Sequence, residues 1–429
     1  MAFTAWHKGV MAAGLLTVSG LAIVALYGGH ASGTVSVPLA PPLPSPTSTT
    51  MAEAAPASDN DPAPPAAVAA APVALLVDLG SGRTLYEHNA DQPFLPASVT
   101  KTMTAFVAFE MLAKGELREE QTFKVSREAW REWHSKGSRM FLSDGSQVPV
   151  RDLLLGIMNV SANDGAVVLA EGAGGSVAAF VARMNATAKE LGMTHSHFGT
   201  PNGWMDKGVT HVSARDLVKL SEAMIHRHPD YYHRYVGQKG MTWNGITQPN
   251  HDPTLGIVEG ADGIKTGFTG EAHYNFLGSA LRGKRRLVMV LAGVETPKER
   301  TAAAKALLEW GFNAWEDKPL VPEGTPLSSA AVQGGMKSEV KLEAPRDFYV
   351  TLPKGGHAPV SMRLVYHGPL VAPIVKGTTV AELEVQLGKN KPVRLPVTAA
   401  EDVAKGGFIE RVKTGFARLI APAPEKAPA

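Results

Sequence analysis

The sequence predicts a mixed α/β fold of the α+β kind, in which an antiparallel sheet flanked by helices is followed by a small all-β domain. Three observations support this class. Pairs of apolar, strand-like runs occur at 73–88 and again at 274–294. Helical apolar periodicity fills the region between them. Beyond about Pro319, short alternating segments separated by turns replace both patterns.

Composition narrows the functional classes. The 429 residues carry 42 Lys plus Arg against 40 Asp plus Glu, so the chain is almost neutral and we expect no nucleic-acid partner. The chain has no cysteine. Disulfides, thiolate catalysis and cysteine-ligated metal sites are therefore excluded.

The N-terminus predicts export. His7 and Lys8 precede an uncharged, apolar run at 9–27, which is long for the core of a cleavable signal and about the length of a short membrane span. Residues 1–35 are therefore interpreted as a signal peptide or an uncleaved membrane anchor, and both remain open. Residues 36–72 are rich in Pro and Ala with hardly an aromatic residue, which predicts a disordered linker.

The first folded domain is predicted at 73–317. VALLVDL and RTLYEH around the turn GSG indicate a hairpin, and a core helix begins near Pro96. Helical patterns at 151–191 indicate a helical subdomain. YNFLGSAL and RLVMVLAGV form the second predicted hairpin, and the helix in KERTAAAKALLEWGFNAW is expected to pack beside it. The alternating segments FYVTL, MRLVYH, TVAELEVQL and KPVRLPV predict a C-terminal β domain at 318–403.

The last segment, 404–429, contains a predicted amphipathic helix. At about 100° per residue, the apolar residues between Phe408 and Ile420 share one side, while Arg411, Lys413 and Arg418 lie opposite or at the margins. A helix lying on an anionic membrane surface is the favoured interpretation. Packing of this helix back onto the β domain is the alternative.

The strongest chemical signal begins at Ser98 and Lys101. The i, i+3 spacing puts the amine beside the hydroxyl at a helix start. A lysine in a dry cleft or near other cations can have its pKa lowered enough to activate a serine. Alone this pattern is weak, because S-x-x-K also fits a helix start with a solvated lysine.

Two further motifs follow in order. Ser161-Ala162-Asn163 comes 60 residues after Lys101, and Lys265-Thr266-Gly267 comes later. Separately, the first could be a turn and the second a strand leading into a turn. The occurrence of both motifs after Ser98 and Lys101, in this order, is improbable by chance, which favours a shared catalytic role over these separate structural ones.

On these motifs the chain resembles the low-molecular-weight penicillin-binding proteins, serine-type D-alanyl-D-alanine carboxypeptidases, from about Val73 to the C-terminus. PASVTKTMTAF, VPVRDLLLGIMNVSANDGAVVLAE and ELGMTHSHFGTPNGW also match family segments in their usual order. The resemblance implies a β-lactamase/transpeptidase-like catalytic domain. It implies peptidoglycan stem peptides as substrate, covalent inhibition by β-lactam antibiotics, no cofactor, no metal, and action on the periplasmic side of the cytoplasmic membrane.

The resemblance also implies roles for individual residues. Ser98 is the nucleophile and Lys101 its base, while Ser161 relays a proton to the leaving amine. Asn163 holds the acyl-side amide. Lys265, Thr266 and Gly267 together with Arg300 bind the substrate carboxylate. The backbone N–H groups of Ser98 and Phe268 form the oxyanion hole.

The sequence differs from the family pattern at two positions, and two alternative functions are considered. Ala162 stands where the family usually has glycine or aspartate, and Phe268 where a histidine or tyrosine is common, so the substrate side-chain preference is not predicted. A β-lactamase shares the motifs, but no glutamate between Asn163 and Lys265 lies in a recognisable loop that could position the hydrolytic water. A catalytically silent wall-binding protein of the same fold is the second alternative, but it would not need the reacting residues.

The histidines at 195–197 and 226–233 could be proposed as metal ligands. No carboxylate lies at a recognised zinc spacing from them, so surface or half-buried histidines are the favoured interpretation.

Overall fold

The computed structural model describes residues 61–407 and, from the backbone alone, a short strand at Val35–Val37. The predicted export segment at 9–27 and the predicted helix at 408–420 lie outside the described residues. The strands, in chain order, are β1 (Val35–Val37), β2 (Val73–Asp78), β3 (Thr84–His88), β4 (Thr122–Lys124), β5 (Gln147–Pro149), β6 (Gly240–Trp243), β7 (Ile246–Pro249), β8 (Ala261–Thr269), β9 (His273–Arg282), β10 (Arg285–Val294), β11 (Trp315–Val321), β12 (Pro326–Gln333), β13 (Glu339–Glu343), β14 (Phe348–Pro353), β15 (Val360–Tyr366), β16 (Leu370–Val371), β17 (Thr379–Leu387) and β18 (Val393–Ala399). The α-helices are α1 (Lys101–Ala113), α2 (Arg127–Trp133), α3 (Val150–Asn159), α4 (Asn163–Gly174), α5 (Val177–Glu190), α6 (Ala214–Arg227), α7 (Pro229–Tyr235) and α8 (Pro297–Asn313).

A five-stranded antiparallel sheet forms the centre of the first domain, in the order β3-β2-β10-β9-β8. It contains both predicted hairpins, so the predicted fold class is confirmed. Alternation along β2 assigns its side chains to two cores. Leu75 and Val77 pack towards the helical subdomain, whereas Ala74 and Leu76 pack towards α8.

The helical subdomain surrounds α1, and α1 carries the first motif. This helix is buried over almost its whole length, completely so at Met103, Phe106 and Phe109, as expected for a helix enclosed by other elements. It contacts α3, α4, α5 and α6 as well as β8 of the sheet. The start of α1 is therefore held between the helical subdomain and the sheet, where a cleft can form.

The predicted linker 36–72 is wrong at its C-terminal end. Ala66–Ala70 form a 3-10 helix that packs against α8, with Val68 and Ala71 buried in the core on that face of the sheet. The composition lacks large apolar residues, which is why it indicated disorder. The small side chains nevertheless fit against the neighbouring surface of α8, and the contact orders them.

The C-terminal domain is all-β. Its main sheet has the order β1-β15-β17-β18-β13-β12-β16, and β11 pairs with β14 in a second, two-stranded sheet. The inward-facing side chains make a separate core. Strand β11 spans the predicted domain boundary at 318. Trp315 at its start belongs to the core of the first domain, and Val321 at its end belongs to the core of the second.

Polar contacts join the two domains. Arg83 donates to the backbone O of Thr351 at 2.8 Å, and the hydroxyls of Ser81 and Thr351 are 2.6 Å apart. Arg346 of the second domain donates to the backbone O of Leu79 in the first at 2.7 Å. Because buried polar groups need partners, these contacts favour one arrangement of the domains.

Within residues 61–407, no single helix combines the length and hydropathy of a membrane span. Only α4 and α5 taken together meet that test, and they are bent by 87° relative to each other.

Candidate active site

Ser98 lies in a tight turn directly before α1. Residues Ala97–Thr100 form a 3-10 helix after Pro96, and Lys101 begins the α-helix. The spacing of three brings the two motif side chains together, as predicted: Lys101 Nζ donates to Ser98 Oγ at 2.8 Å. The Ser98 side chain is half-buried and faces the cleft, so a substrate can reach it.

The amine of Lys101 is fully buried and has two further acceptors. It donates to Asn163 Oδ1 and to the backbone O of Asn202, each at 2.7 Å. Burial, and secondly the charge of Lys265, hold the pKa of Lys101 well below its usual range, while Asp164 opposes this. The geometry therefore fixes the amine at Ser98, and the low pKa makes its neutral, proton-accepting form accessible.

The second motif forms the turn between α3 and α4. Ser161 has φ +62° and is buried, a left-handed conformation that a non-glycine residue adopts only when its surroundings impose it. Asn163 opens α4, and its N–H donates to the O of Ser138 at 2.8 Å. Asp164 accepts hydrogen bonds from the backbone N–H groups of Met140 and Leu142 in a facing loop. The sequence did not indicate this contact.

The third motif lies on β8 at the edge of the sheet. Gly267 passes so close to the turn before α1 that a Cβ there would lie 2.4 Å from the O of Pro96. Only glycine permits this approach. Lys265 is buried and donates to the O of Thr266 at 3.0 Å. The pKa of Lys265 is lowered to about 7, chiefly by burial and also by the charge of Arg300, although Asp252 acts in the opposite direction.

Phe268, Tyr274 and Arg300 form a stack at the mouth of the cleft. The Phe268 ring is 53% exposed and stacks on Tyr274 with centroids 4.3 Å apart. The Arg300 guanidinium lies over the same tyrosine ring, 5.6 Å from its centroid. Within the described residues, the buried Nε of Arg300 has no hydrogen-bond partner. An unpaired buried donor of this kind is unusual in a folded protein.

The three motifs line one cleft of about 480 Å³. Seven of the nine residues singled out from the sequence line its walls, namely Ser98, Ser161, Asn163, Thr266, Gly267, Phe268 and Arg300. The other two, Lys101 and Lys265, are buried beneath that surface. Residues 61–407 contain no group of three His, Asp or Glu side chains arranged to hold a metal ion.

Sequence reasoning did not single out several residues of this cleft. Trp204 and His251 line it, and the backbone O of Asn202 binds Lys101. Burial, and then the cations Lys265 and Arg300, lower the pKa of His251 to about 4, so its ring is neutral at neutral pH. The segment TPNGW, which contains Asn202 and Trp204, resembles a family segment, but nothing in its sequence assigned these roles.

Asp252 is the second group that the sequence did not indicate. Its Oδ1 accepts from the N–H and hydroxyl of Thr254 at 2.7 and 2.6 Å, and its buried Oδ2 has no hydrogen-bond partner within the described residues. Burial raises the pKa of Asp252 to about 6, although Arg300 acts in the opposite direction. The carboxylate thus contributes negative charge behind the cations of the cleft.

Taken together, the cleft has the parts needed for acyl transfer. Ser98, hydrogen-bonded to a buried amine, and Arg300 both line it, and Lys265 is buried beneath its surface. The family model described as "D-alanyl-D-alanine carboxypeptidase" matches residues 59–296. The chain belongs to the D-alanyl-D-alanine carboxypeptidase family. A second model, "Penicillin-binding protein 5, C-terminal domain", matches residues 315–405 of this carboxypeptidase.

Relatives cover both domains of the carboxypeptidase. It is 36% identical over 364 residues to D-alanyl-D-alanine carboxypeptidase DacD of Salmonella typhimurium, which covers 83% of this chain and 91% of that protein. It is 35% identical over 343 residues to DacA of Escherichia coli, with 79% and 85% covered. The predicted enzyme class, a serine-type D-alanyl-D-alanine carboxypeptidase of the low-molecular-weight penicillin-binding type, is confirmed.

Solved structures agree in fold. Penicillin-binding protein 5 from Haemophilus influenzae superposes with a TM-score of 0.66 at 34% identity, covering 80% of this carboxypeptidase and 99% of that chain. Penicillin-binding protein D2 from Listeria monocytogenes, solved in an ampicillin-bound form, superposes with a TM-score of 0.52 at 32% identity and covers 57% of this chain and 98% of its own.

Proposed function

We propose that Ser98 is the nucleophile of this carboxypeptidase and that Lys101 is its general base. The observation that carries the proposal is the 2.8 Å hydrogen bond from Lys101 Nζ to Ser98 Oγ, made by an amine that is fully buried. A serine hydroxyl is a weak nucleophile until a base takes its proton. Lys101 in its neutral form can take that proton, because burial lowers its pKa.

The reaction is an acyl transfer in two steps. The proton of Ser98 passes to Lys101 as Oγ bonds to the carbonyl carbon of the penultimate D-alanine. The backbone N–H groups of Ser98 and Phe268 bind the resulting oxyanion. The C–N bond then breaks, and the leaving D-alanine amine takes up a proton through Ser161. Water finally attacks the ester; as the bond to Ser98 Oγ breaks, one proton of the water passes to Oγ, and the shortened peptide leaves with a new carboxylate.

The opposite wall selects the substrate. Lys265, Thr266 and Arg300 bind the terminal carboxylate, which only a C-terminal residue presents, and Gly267 lets β8 approach the peptide backbone. Arg300 suits this task because a guanidinium grips a carboxylate through two parallel hydrogen bonds and its buried Nε is unpartnered within the described residues. Asn163 holds the amide of the acyl side while its Oδ1 positions Lys101.

β-Lactam antibiotics are proposed to react at the same serine. Attack by Ser98 on the ring carbonyl opens the ring C–N bond, but the leaving nitrogen stays tethered to the acyl group. Because the leaving group cannot diffuse away, the ester persists in the cleft. The Listeria relative that was solved with ampicillin bound shares this part of the fold.

Labelled penicillin tests the assignment directly. Ser98→Ala should abolish both labelling and release of D-alanine, and Lys101→Ala should nearly do so. Lys114→Ala is the matched control, because Lys114 stands at the other end of α1 and pairs with Glu110. It should label like the parent protein. Rapid loss of the label from the parent would instead indicate a β-lactamase.

The double variant tests whether the two residues act as a unit. If Lys101 works only through Ser98, Ser98→Ala/Lys101→Ala should be little worse than either single variant. Losses that add on a logarithmic scale would show that the two side chains act independently and would contradict the pairing. Thermal unfolding of each variant checks that the fold is retained.

The proposed site of action is outside the cytoplasm, on the periplasmic face of the membrane, where peptidoglycan stem peptides are found. The apolar run at 9–27 supports export. We propose that the segment Phe408–Ile420 attaches the enzyme to the membrane, because its apolar and basic residues separate onto two sides of a helical projection. The β domain at 318–403 would then hold the catalytic domain at 73–317 away from the bilayer.

A further inference from the structure

Three apolar side chains are unusually exposed at one end of the C-terminal domain. Val371, Met336 and Val375 are 73%, 67% and 63% exposed, more than any other large hydrophobic residue within 61–407. Met336 lies in the loop after β12, Val371 is the last residue of β16, and Val375 lies in the loop that follows it. We call these three residues the tip patch. None of them belongs to the catalytic cleft.

Backbone hydrogen bonds show that both loops lie beside the end of the described chain. Ile374 and Val403 donate to each other's carbonyl oxygens at 2.9 and 2.8 Å, and Met336 N donates to the O of Ala404 at 2.9 Å. Gly406 N donates to the O of Gly334 at 2.8 Å. Since the chain continues from here into Phe408–Ile420, the tip patch lies where that amphipathic segment begins.

Charge at this end favours an anionic surface. Lys376 and Lys405 are exposed beside the patch, and Lys337 pairs with Glu401. When Asp402 is included, three lysines and two carboxylates lie at this end of the domain. Between residues 408 and 420 the basic side chains again outnumber the acidic ones, with Arg411, Lys413 and Arg418 against Glu410. Exposed apolar side chains among lysines match a bilayer interface that carries anionic headgroups.

Size argues against a protein partner. A stable protein interface buries about 800 Å² on each side, far more than three aliphatic side chains can provide. A bilayer needs no such area, because an attached segment holds the patch at the surface and each inserted side chain adds to the binding.

We infer that the tip patch inserts into an anionic phospholipid surface as a second contact next to the C-terminal segment. The inference rests on the proposed membrane attachment and adds a specific consequence. Two adjoining contacts restrict how the β domain can rotate on the bilayer, so the catalytic cleft is presented in a defined direction. A single flexible tether would not do this.

The absence of cysteine from the chain provides a sharp test. Val371→Cys in the full chain gives one thiol, which is labelled with an environment-sensitive fluorophore. Ile257→Cys is the matched control, since Ile257 is 57% exposed in the first domain. On vesicles of equimolar phosphatidylcholine and phosphatidylglycerol, the label at 371 should shift to the blue and be quenched by nitroxide-bearing lipids. The label at 257 should do neither.

The outcomes separate the inference from the attachment on which it rests. Sedimentation with vesicles without a shift at 371 would overturn the tip patch and leave the attachment standing. No sedimentation at all would overturn both. A shift that appears without vesicles and grows with protein concentration would identify a second copy of the chain as the partner, which also overturns the inference.

Removal of the side chains gives an independent measurement. Met336→Ser/Val371→Ser/Val375→Ser should weaken vesicle binding by about tenfold, because the apolar area available for insertion is lost. Ile257→Ser should bind vesicles like the parent. D-Alanine release from small soluble peptides should stay unchanged in both variants. Unchanged vesicle binding by the triple variant would contradict the inference.

Discussion

Replacement of Arg300 by alanine tests the proposed carboxylate-binding wall most directly. Arg300 lies in the first turn of α8, lines the cleft, and keeps a buried Nε without a partner within the described residues. A substrate carboxylate would provide the missing acceptor. A hydrogen bond to a charged group contributes about 1.5–3 kcal/mol, so Arg300→Ala should lower kcat/KM about 10- to 150-fold. The loss stays within that range because Lys265 still attracts the carboxylate.

Two peptides that differ only at the C-terminus provide the assay. One ends in D-alanyl-D-alanine with a free carboxylate and the other in the corresponding amide, and release of the last residue is measured for both. Arg300→Ala should lose activity on the free acid and little further on the amide. Lys298→Ala, at an exposed position in the same turn, is the matched control and should behave like the parent.

Two results would refute this reasoning. Equal kcat/KM of variant and parent on the free acid would remove Arg300 from the binding wall. Equal losses on both peptides would show that the arginine acts through the structure of the cleft and not through the carboxylate. Arg300→Lys refines the second case, since it keeps the charge but loses the paired donors, and should fall between parent and alanine variant.

Two further predictions concern pH and backbone strain. In the parent, kcat/KM on free-acid peptides should fall as pH rises through about 7, because Lys265 loses the proton that attracts the carboxylate. Asp252 raises the pKa of Lys265, so Asp252→Asn should move this fall to lower pH, and an unmoved profile would exclude Lys265 as its origin. Gly203→Ala should lower the free energy of unfolding by about 1–3 kcal/mol more than Gly115→Ala. Both glycines have φ near +70°, but only at Gly203 would a Cβ meet an atom, 1.9 Å from the O of Ala97, and equal melting temperatures would contradict this.

Local patterns in the sequence predicted much of the fold because they report on neighbours along the chain. The apolar run VALLVDL predicted a strand of a hairpin, and β2 is that strand; its alternate side chains enter two separate cores. The pattern failed at Ala66–Ala70, where small residues are ordered by α8, an element more than two hundred residues away. Composition cannot report a contact with so distant a surface.

The sequence by itself determined the Ser98–Lys101 pair. Its geometry is local, since three residues of helical backbone bring the amine to the hydroxyl. It also determined the family, through motifs whose order and spacing are unlikely by chance. Neither the depth of the cleft nor the protonation state of its lysines could be obtained in this way.

Only the tertiary structure decided how the motifs act on one another. Lys101 has a lowered pKa because the fold buries it and brings Lys265 near, although 164 positions separate the two lysines in the chain. The stack of Phe268, Tyr274 and Arg300 and the unpartnered oxygen of Asp252 likewise depend on packing between distant segments. Burial and Coulomb interactions depend on distances in space, and sequence spacing fixes those distances only within a single helix or strand.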